Sequence, residues 1–193
     1  IRQERIKEIS IVGNNITLIS KYGSVGQKES YIEIDTADTG ILNVYAYLGI
    51  YIRELKGNLT IGSIISITGD IEIEVVDGDI LGITLNEDSD GMAEYSDNGS
   101  GKPAHIAGKN IKLVSLAGGI GKKDNYIAVD SDGRIVLLGK ADIYVEESAG
   151  DMILELVKTD GNIHLLSDGS IVAAEDAEGI VVIGEDITLT AVE

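Results

Sequence analysis

Cysteine, tryptophan and phenylalanine are absent from this chain, proline occurs once (Pro103), and the only aromatic residues are eight tyrosines. Without cysteine there are neither disulfides nor thiol chemistry; the absence is compatible with export but does not decide the compartment. The longest apolar runs are four to five residues, far below the ~20 needed to cross a bilayer as a helix. Cations are scarce as well: 15 Lys and Arg stand against 33 Asp and Glu, a net charge of −18. That balance excludes nucleic acid, whose phosphates need clustered cations, and disfavours anionic membrane surfaces. The plain reading of the acidity is solubility for a long, flat-sided object, and the sharper one is cation binding. The chain opens at Ile1 with no signal peptide, so the expectation is a piece of something longer.

What is present is aliphatic. Apolar residues make up 44% of 193 residues, enough for a continuous core, and Ile, Val and Leu supply nearly all of them. β-branched side chains suit a pleated, half-buried surface, and narrow solenoid rungs have little room for large rings. Twenty-four glycines against one proline imply frequent tight turns.

The sequence repeats itself. GNNITLISKYGSVGQKESYIEID, Gly13 to Asp35, lies without a gap over GKNIKLVSLAGGIGKKDNYIAVD, Gly108 to Asp130, at an offset of 95. At an offset of 93, GILNVYAYLGIYIRELKGNL from Gly40 lies over GRIVLLGKADIYVEESAGDM from Gly133, pairing Tyr51 with Tyr144 and Glu54 with Glu147. GEDITLTA from Gly184 restates the opening once more. A period of this size signals stacked supersecondary units. The units read as a preceding coil or cap over 1–9, unit 1 over 10–85, an acidic, Gly-rich connector over 86–103, unit 2 over 104–178 and the start of a third over 179–193.

Within each unit runs a finer beat, Gly then Asn or Asp then alternating apolar residues: NITLIS, GDIEIEV, NIKLVS, GNIHLL, DITLTA. Each reads as a short strand entered from a turn, with Ile16 and Leu18 on one face and Asn15 and Thr17 on the other. Arg2 to Ile9 has helical spacing at Ile6 and Ile9 but is short, and equally reads as the tail of a rung. A sandwich needs strands of dissimilar environment, whereas the coils of a solenoid can reuse one motif. The expectation is therefore an all-β parallel β-helix, or β-solenoid, of two roughly 90-residue units. At about 20 residues per coil it would hold roughly nine or ten rungs over about 45 Å. Gly13, Gly57, Gly108 and Gly150 are expected at corners, and Ile16, Leu18, Ile111 and Leu113 in the interior.

With their GKNIKLVSLAGGIG opening, IYVEESAGDM middle and DGSIVAAED close, the units resemble repeats of filamentous haemagglutinin-like large exoproteins, bacterial adhesins exported by two-partner secretion. The resemblance covers most of residues 10 to 191. It implies a right-handed helix forming a long stalk, outside the cell or on the bacterial surface, used in adhesion. Its partners would be neighbouring repeats of the same polypeptide and host, neighbouring-cell or matrix glycans. Neither membrane insertion nor nucleic acid is expected. Uncapped ends should also favour end-to-end self-association.

Parallel β-helices also host polysaccharide lyases and hydrolases, which gather carboxylates on one face. The candidates are Asp35, Glu54, Asp130, Glu146 and Glu147, but Asp35 and Glu54 recur as Asp130 and Glu147. An active site is normally built once, so corner or solvent-face duty is the better reading. His105 and His164 lack ligand-spaced partners, and surface or strand-face positions are expected for both. In the connector, Asn86, Asp88, Asp90, Glu94 and Asp97, with Gly91 for the turn and the Met92 carbonyl, match an oxygen-ligand calcium loop. Asn at the first position, Asp97 in place of the bidentate Glu, and the run into NGSGKP favour a hydrophilic loop instead. Calcium is thus the sole candidate cofactor. The functional expectation is a non-enzymatic structural stalk segment, with a polysaccharide-active enzyme or a calcium-stabilised surface module as alternatives.

Overall fold

The alternation of aliphatic and polar residues becomes a stack of short parallel strands in the computed structural model, which describes residues 11–37, 39–85 and 102–192. Unit 1 supplies β1 (Ile11–Gly13), β2 (Ile16–Ser20), β3 (Ile32–Thr36), β4 (Ile41–Ala46), β5 (Ile50–Glu54), β6 (Leu59–Ser66), β7 (Ile71–Val75) and β8 (Ile80–Gly82). Unit 2 repeats them as β9 (Ile106–Gly108), β10 (Ile111–Ser115), β11 (Ile127–Ser131), β12 (Arg134–Leu138), β13 (Ile143–Glu147), β14 (Met152–Lys158), β15 (Ile163–Ser167) and β16 (Ile171–Ala173). The chain then adds β17 (Val182–Ile183) and β18 (Ile187–Ala191). No helix occurs among the described residues.

The strands form two sheets with every ladder parallel. One sheet runs β1-β3-β5-β7-β10-β12-β14-β16 and the other β2-β4-β6-β9-β11-β13-β15-β18. The protein is a β-solenoid of about eight turns rather than the nine or ten rungs expected. At ~4.8 Å per rung the first and last strands of a sheet lie about 34 Å apart. The shortfall arises because β8 and β9 share one level, as described below.

Inward positions alternate along each strand, as the period of two requires. Ile34, Ile52, Ile73, Ile111, Ile135 and Leu154 face in from one sheet, and Leu42, Ile61, Ile106, Val129, Val145 and Leu165 from the other, each at most 2% exposed. Burying such a side chain contributes ~1.5–3 kcal/mol, so these rows hold the stack together. Leu18 is only half-buried, because it lies near the first coil.

The repeat changes sheets between units. Strands β2, β3, β4, β5, β6 and β7 alternate between the two sheets, yet each equivalent strand of unit 2, β10 to β15, lies on the opposite one. The cause is local to β6, which is eight residues long. Its first half pairs with β8 (Leu59 with Ile80) and its second half with β9 (Ile64 with Ile106). β8 and β9 are therefore two halves of a single rung. β14 repeats the arrangement, pairing with β16 at Met152 and with β17 at Val157. In both units the register slips by one residue against the preceding strand, at Gly62 opposite β4 and at Glu155 opposite β12. Such a bulge re-aims the second half of the strand. Across the connector β10 pairs directly with β7, Ile111 against Ile71 through Ser115 against Val75, so the two units share one continuous sheet.

The corners carry Asn and Asp, as the turn phrases implied. Asn15 Oδ1 accepts the Ile41 N–H at 3.1 Å and its counterpart Asn110 accepts that of Arg134 at 2.8 Å. Asn58 and Asp151 do the same for Asp79 and Ser170, at 2.8 and 2.7 Å. Gly57 and Gly150 hold φ of 70° and 82°, the left-handed region open to glycine. Gly13 and Gly108 end strands instead and keep negative φ; at Gly108 a Cβ would lie 2.7 Å from Ile71 Cδ1.

Candidate functional site

The proposed carboxylates part company in the structure. Glu54 and Glu147 close β5 and β13, four residues after Ile50 and Ile143, and so point inward; both are fully buried. Glu54 Oε2 accepts from the Thr36 N–H at 3.0 Å and from its hydroxyl at 2.8 Å, while Oε1 takes the Lys56 N–H at 3.3 Å. Burial raises its pKa, opposed by those three donors. Glu147 has only the counterpart N–H groups of Ser131 and Ala149 on Oε1, at 3.3 and 3.4 Å. The Ser131 hydroxyl donates instead to the Lys109 carbonyl at 3.1 Å, and Glu147 Oε2 is buried with no partner. Burial therefore pushes the Glu147 carboxyl up to about 9. The same parity that places the isoleucines inside places these two acids there, so that of the two duties expected, corner or solvent face, both take the corner.

Asp35 and Glu146 are half-buried on outward positions, and Asp130, of the same outward parity, is buried at 6% exposed. Asp35 pairs with Lys56 at 3.0 Å. Burial raises the Glu146 carboxyl, with Lys102 opposing and Asp168 adding to the shift. The five candidates are thus divided among two interior corners and separate outer rows.

A groove of about 550 Å³ lies on the outer face of the β7–β10–β12 sheet, lined by Lys28, Asp70, Glu72, Lys112, Arg134 and Glu155 among others. Its rim is the β2–β3 loop, folded back by a turn in which the Gln27 and Ser30 backbones exchange hydrogen bonds of 3.0 and 2.8 Å. Gly26, at φ 75°, permits that turn to press on β5, since a Cβ there would lie 2.2 Å from the Tyr51 carbonyl oxygen. Glu72 accepts from the Tyr31 hydroxyl at 2.6 Å and lies 3.2 Å from Lys28 and 3.5 Å from Lys112. Burial would raise its pKa, but the Tyr31 hydroxyl and the two lysines outweigh it and hold the carboxylate ionised. Beside it Arg53 bridges Glu33 at 3.5 Å and Glu74 at 2.6 Å and sits 4.9 Å over the Tyr31 ring.

Unit 2 rebuilds the turn on the other sheet with different chemistry. Lys122 and Asn125 close it, Gly121 at φ 71° abuts the Tyr144 carbonyl, and Tyr126 meets Tyr144 edge-on at 5.5 Å. Glu72 is replaced by His164, whose ring stacks on Tyr144 at 4.7 Å. Between these two turns the charged side chains of the groove are thus not repeated, while the frame is.

His105 is not at the surface but 1% exposed. It seals the split rung: Nε2 lies 2.7 Å from the Ile83 carbonyl oxygen and Nδ1 accepts the Ala128 N–H at 3.0 Å, so Nε2 carries the proton. Gly82 makes room, as a Cβ there would lie 2.3 Å from Nε2. Burial lowers the imidazole pKa and keeps it neutral, against the Ile83 carbonyl bond. Sequence carried no signal for this seam. Asn86, Asp88, Asp90, Glu94 and Asp97 fall outside the described residues, among which no three His, Asp or Glu side chains gather into a metal-binding group.

The chain matches no protein-family model, no curated protein and no solved structure.

Proposed function

We propose that this chain is a structural stalk segment of a large exported filamentous surface protein, non-enzymatic, displaying a repeated surface outside the cell. The observation that carries this reading is that acidic side chains with repeat counterparts are committed to architecture. Glu54 and Glu147 hold equivalent backbone N–H groups at equivalent corners, and Asn15 and Asn110 bind equivalent strand starts. Repetition of this kind supports length and rigidity rather than a reaction. The experiment is protease shaving of intact cells that make the parent protein. Peptides from outer-face positions should be released while a cytoplasmic marker stays intact; release only after lysis would overturn export.

A second reading is favoured by one observation, the groove around Glu72, which has no chemically matched copy in unit 2. It would make the chain a polysaccharide-binding or polysaccharide-cleaving module. Glu72 is held ionised by Tyr31, Lys28 and Lys112, which suits holding a ligand better than donating a proton. Depolymerisation of a polysaccharide, lost on Glu72→Gln, would establish this reading over the first.

A further inference from the structure

We propose that His105 is an acid-operated latch: on taking up a proton its ring leaves the place between Ile83 and Ala128, and the seam of the split rung opens while the stack on either side stays folded. The inference uses the geometry of the seam, so it stands or falls separately from the export reading.

Three observations converge on it. The first is how much of the seam one residue holds. The His105 N–H donates to the Ala128 carbonyl at 2.8 Å and Nδ1 takes the Ala128 N–H at 3.0 Å, so both polar backbone groups of Ala128 depend on it. Its carbonyl accepts the Ile64 N–H of β6 at 2.8 Å, and Nε2 donates to the Ile83 carbonyl just past β8 at 2.7 Å. His105 thereby ties β6, β8 and β11 together at the level that β8 and β9 share.

The second is that the place fits a neutral imidazole and not a charged one. With a second proton both ring nitrogens are donors, and an Nδ1–H would confront the Ala128 N–H. The ring is 1% exposed, where an unpaired charge is costly. Gly82 closes one side, since a Cβ there would lie 2.3 Å from Nε2. The charged side chains on the surrounding elements are Lys102 ahead of β9, Asp130 on β11, Glu146 beside Ala128 on β13, and Lys122, Lys123 and Asp124 on the turn whose Asn125 holds the Gly82 carbonyl at 2.7 Å. None of these contributes to the ring's shift, which burial causes and the Ile83 carbonyl opposes.

The third is the contrast with the other split rung. Val157 N–H donates to the Val181 carbonyl at 2.7 Å just as Ile64 N–H does to that of His105, so an aliphatic residue stands at the same place ahead of β17. The repeat therefore builds this junction without a titrating group, and the histidine adds a proton dependence to one rung of the two. Around the seam the stack has its own holds. Leu59 pairs with Ile80, Ile83 N–H donates to the Ile61 carbonyl at 3.0 Å, and β7 pairs with β10 along its whole length. Loss of the two ring bonds thus opens the seam and leaves the neighbouring ladders in place.

The experiment is amide hydrogen exchange of the full chain by NMR from about pH 7 to about pH 5, each amide corrected for its intrinsic rate, with the imidazole signals followed in parallel. His164 is the only other histidine, and His164→Gln identifies the His105 signal. Because only the opened ring takes the proton, protection of the Ala128 amide should fall about tenfold for each pH unit below the ordinary histidine value of 6.5. The Ile71 N–H, which donates to the Asn110 carbonyl at 2.8 Å in the β7–β10 ladder, should keep its protection over the same range. His105→Gln, which offers an amide donor and acceptor without a titrating proton, should make Ala128 protection independent of pH. Protonation of His105 with the Ala128 amide still protected, an equal loss of protection at Ile71, or an unchanged acid response in His105→Gln would overturn the proposal. The wild-type titration decides the matter even if His105→Gln misfolds.

Discussion

At the residue scale the two interior glutamates show how one hydroxyl changes a buried acid. Both occupy the same corner of the repeat, but Thr36 gives Glu54 a third donor that Ser131 withholds from Glu147. Glu147 therefore stays protonated at neutral pH, its pKa lifted by burial to about 9. A carboxyl raised from 4.5 to about 9 favours the folded state most fully below pH ~4.5, where both states hold the proton. As pH climbs toward 9 the folded chain keeps a proton that the unfolded chain has released, so stability falls. Glu147→Gln removes this titration. It should melt within a degree or two of wild type at pH 5 and at least about 4 °C above it at pH 9, the shift that 1–2 kcal/mol gives in a chain of this size. Equal melting temperatures at pH 9 would show that Glu147 is hydrated or rearranged. His105 works in the opposite direction: its pKa is lowered by burial, so its contribution is lost as pH falls below the ordinary histidine value of 6.5. The inward isoleucines were legible from alternation alone, and the same alternation reaches Glu54 and Glu147. His105 was not legible, because its burial depends on Gly82 and Ile83, more than twenty residues earlier in the chain, packing against it.

At the scale of elements the instructive feature is the split rung. Composition marks residues 86–103 as a loop, which is how they read in the sequence. What it does not mark is that β8 and β9, on either side of it, share one coil level and that β7 and β10 pair directly. That follows from the length of β6 and the bulge at Gly62, a tertiary matter set by pairing with β4. The second unit performs the same closure over residues 174–181 alone, between β16 and β17. Replacing 83–105 by 174–181 should therefore leave one cooperative unfolding transition, with the melting temperature lowered by no more than about 5 °C for the loss of the His105 bonds. Separate melting of two halves in calorimetry would mean that the loop, and not the β7–β10 ladder, joins the units.

At the scale of the whole molecule the repeat was legible as a repeat, and parallel stacking followed from it. The exchange of sheets between units was not, since it depends on whether β8 and β9 count as one level or two. Its consequence is that equivalent surfaces, such as the Tyr31–Tyr51 and Tyr126–Tyr144 patches, face opposite sides of the stack. The sheet carrying Glu72 and the sheet carrying His164 can thus diverge independently while the corners and the interior stay shared.

The central claim is one continuous stack across the connector, with Glu74 beside Val114 and Ile65 beside Ala107. Because the chain has no cysteine, paired substitutions test it without background. Oxidising Glu74→Cys with Val114→Cys, and separately Ile65→Cys with Ala107→Cys, should give intramolecular disulfides, since neighbours on a ladder lie within the Cα range of about 4.4–6.8 Å that a disulfide spans. Shifting one partner by a residue, to Leu113→Cys, turns it into the interior and should abolish the crosslink. Failure of both designed pairs, or an equal yield from the shifted pair, would contradict the account.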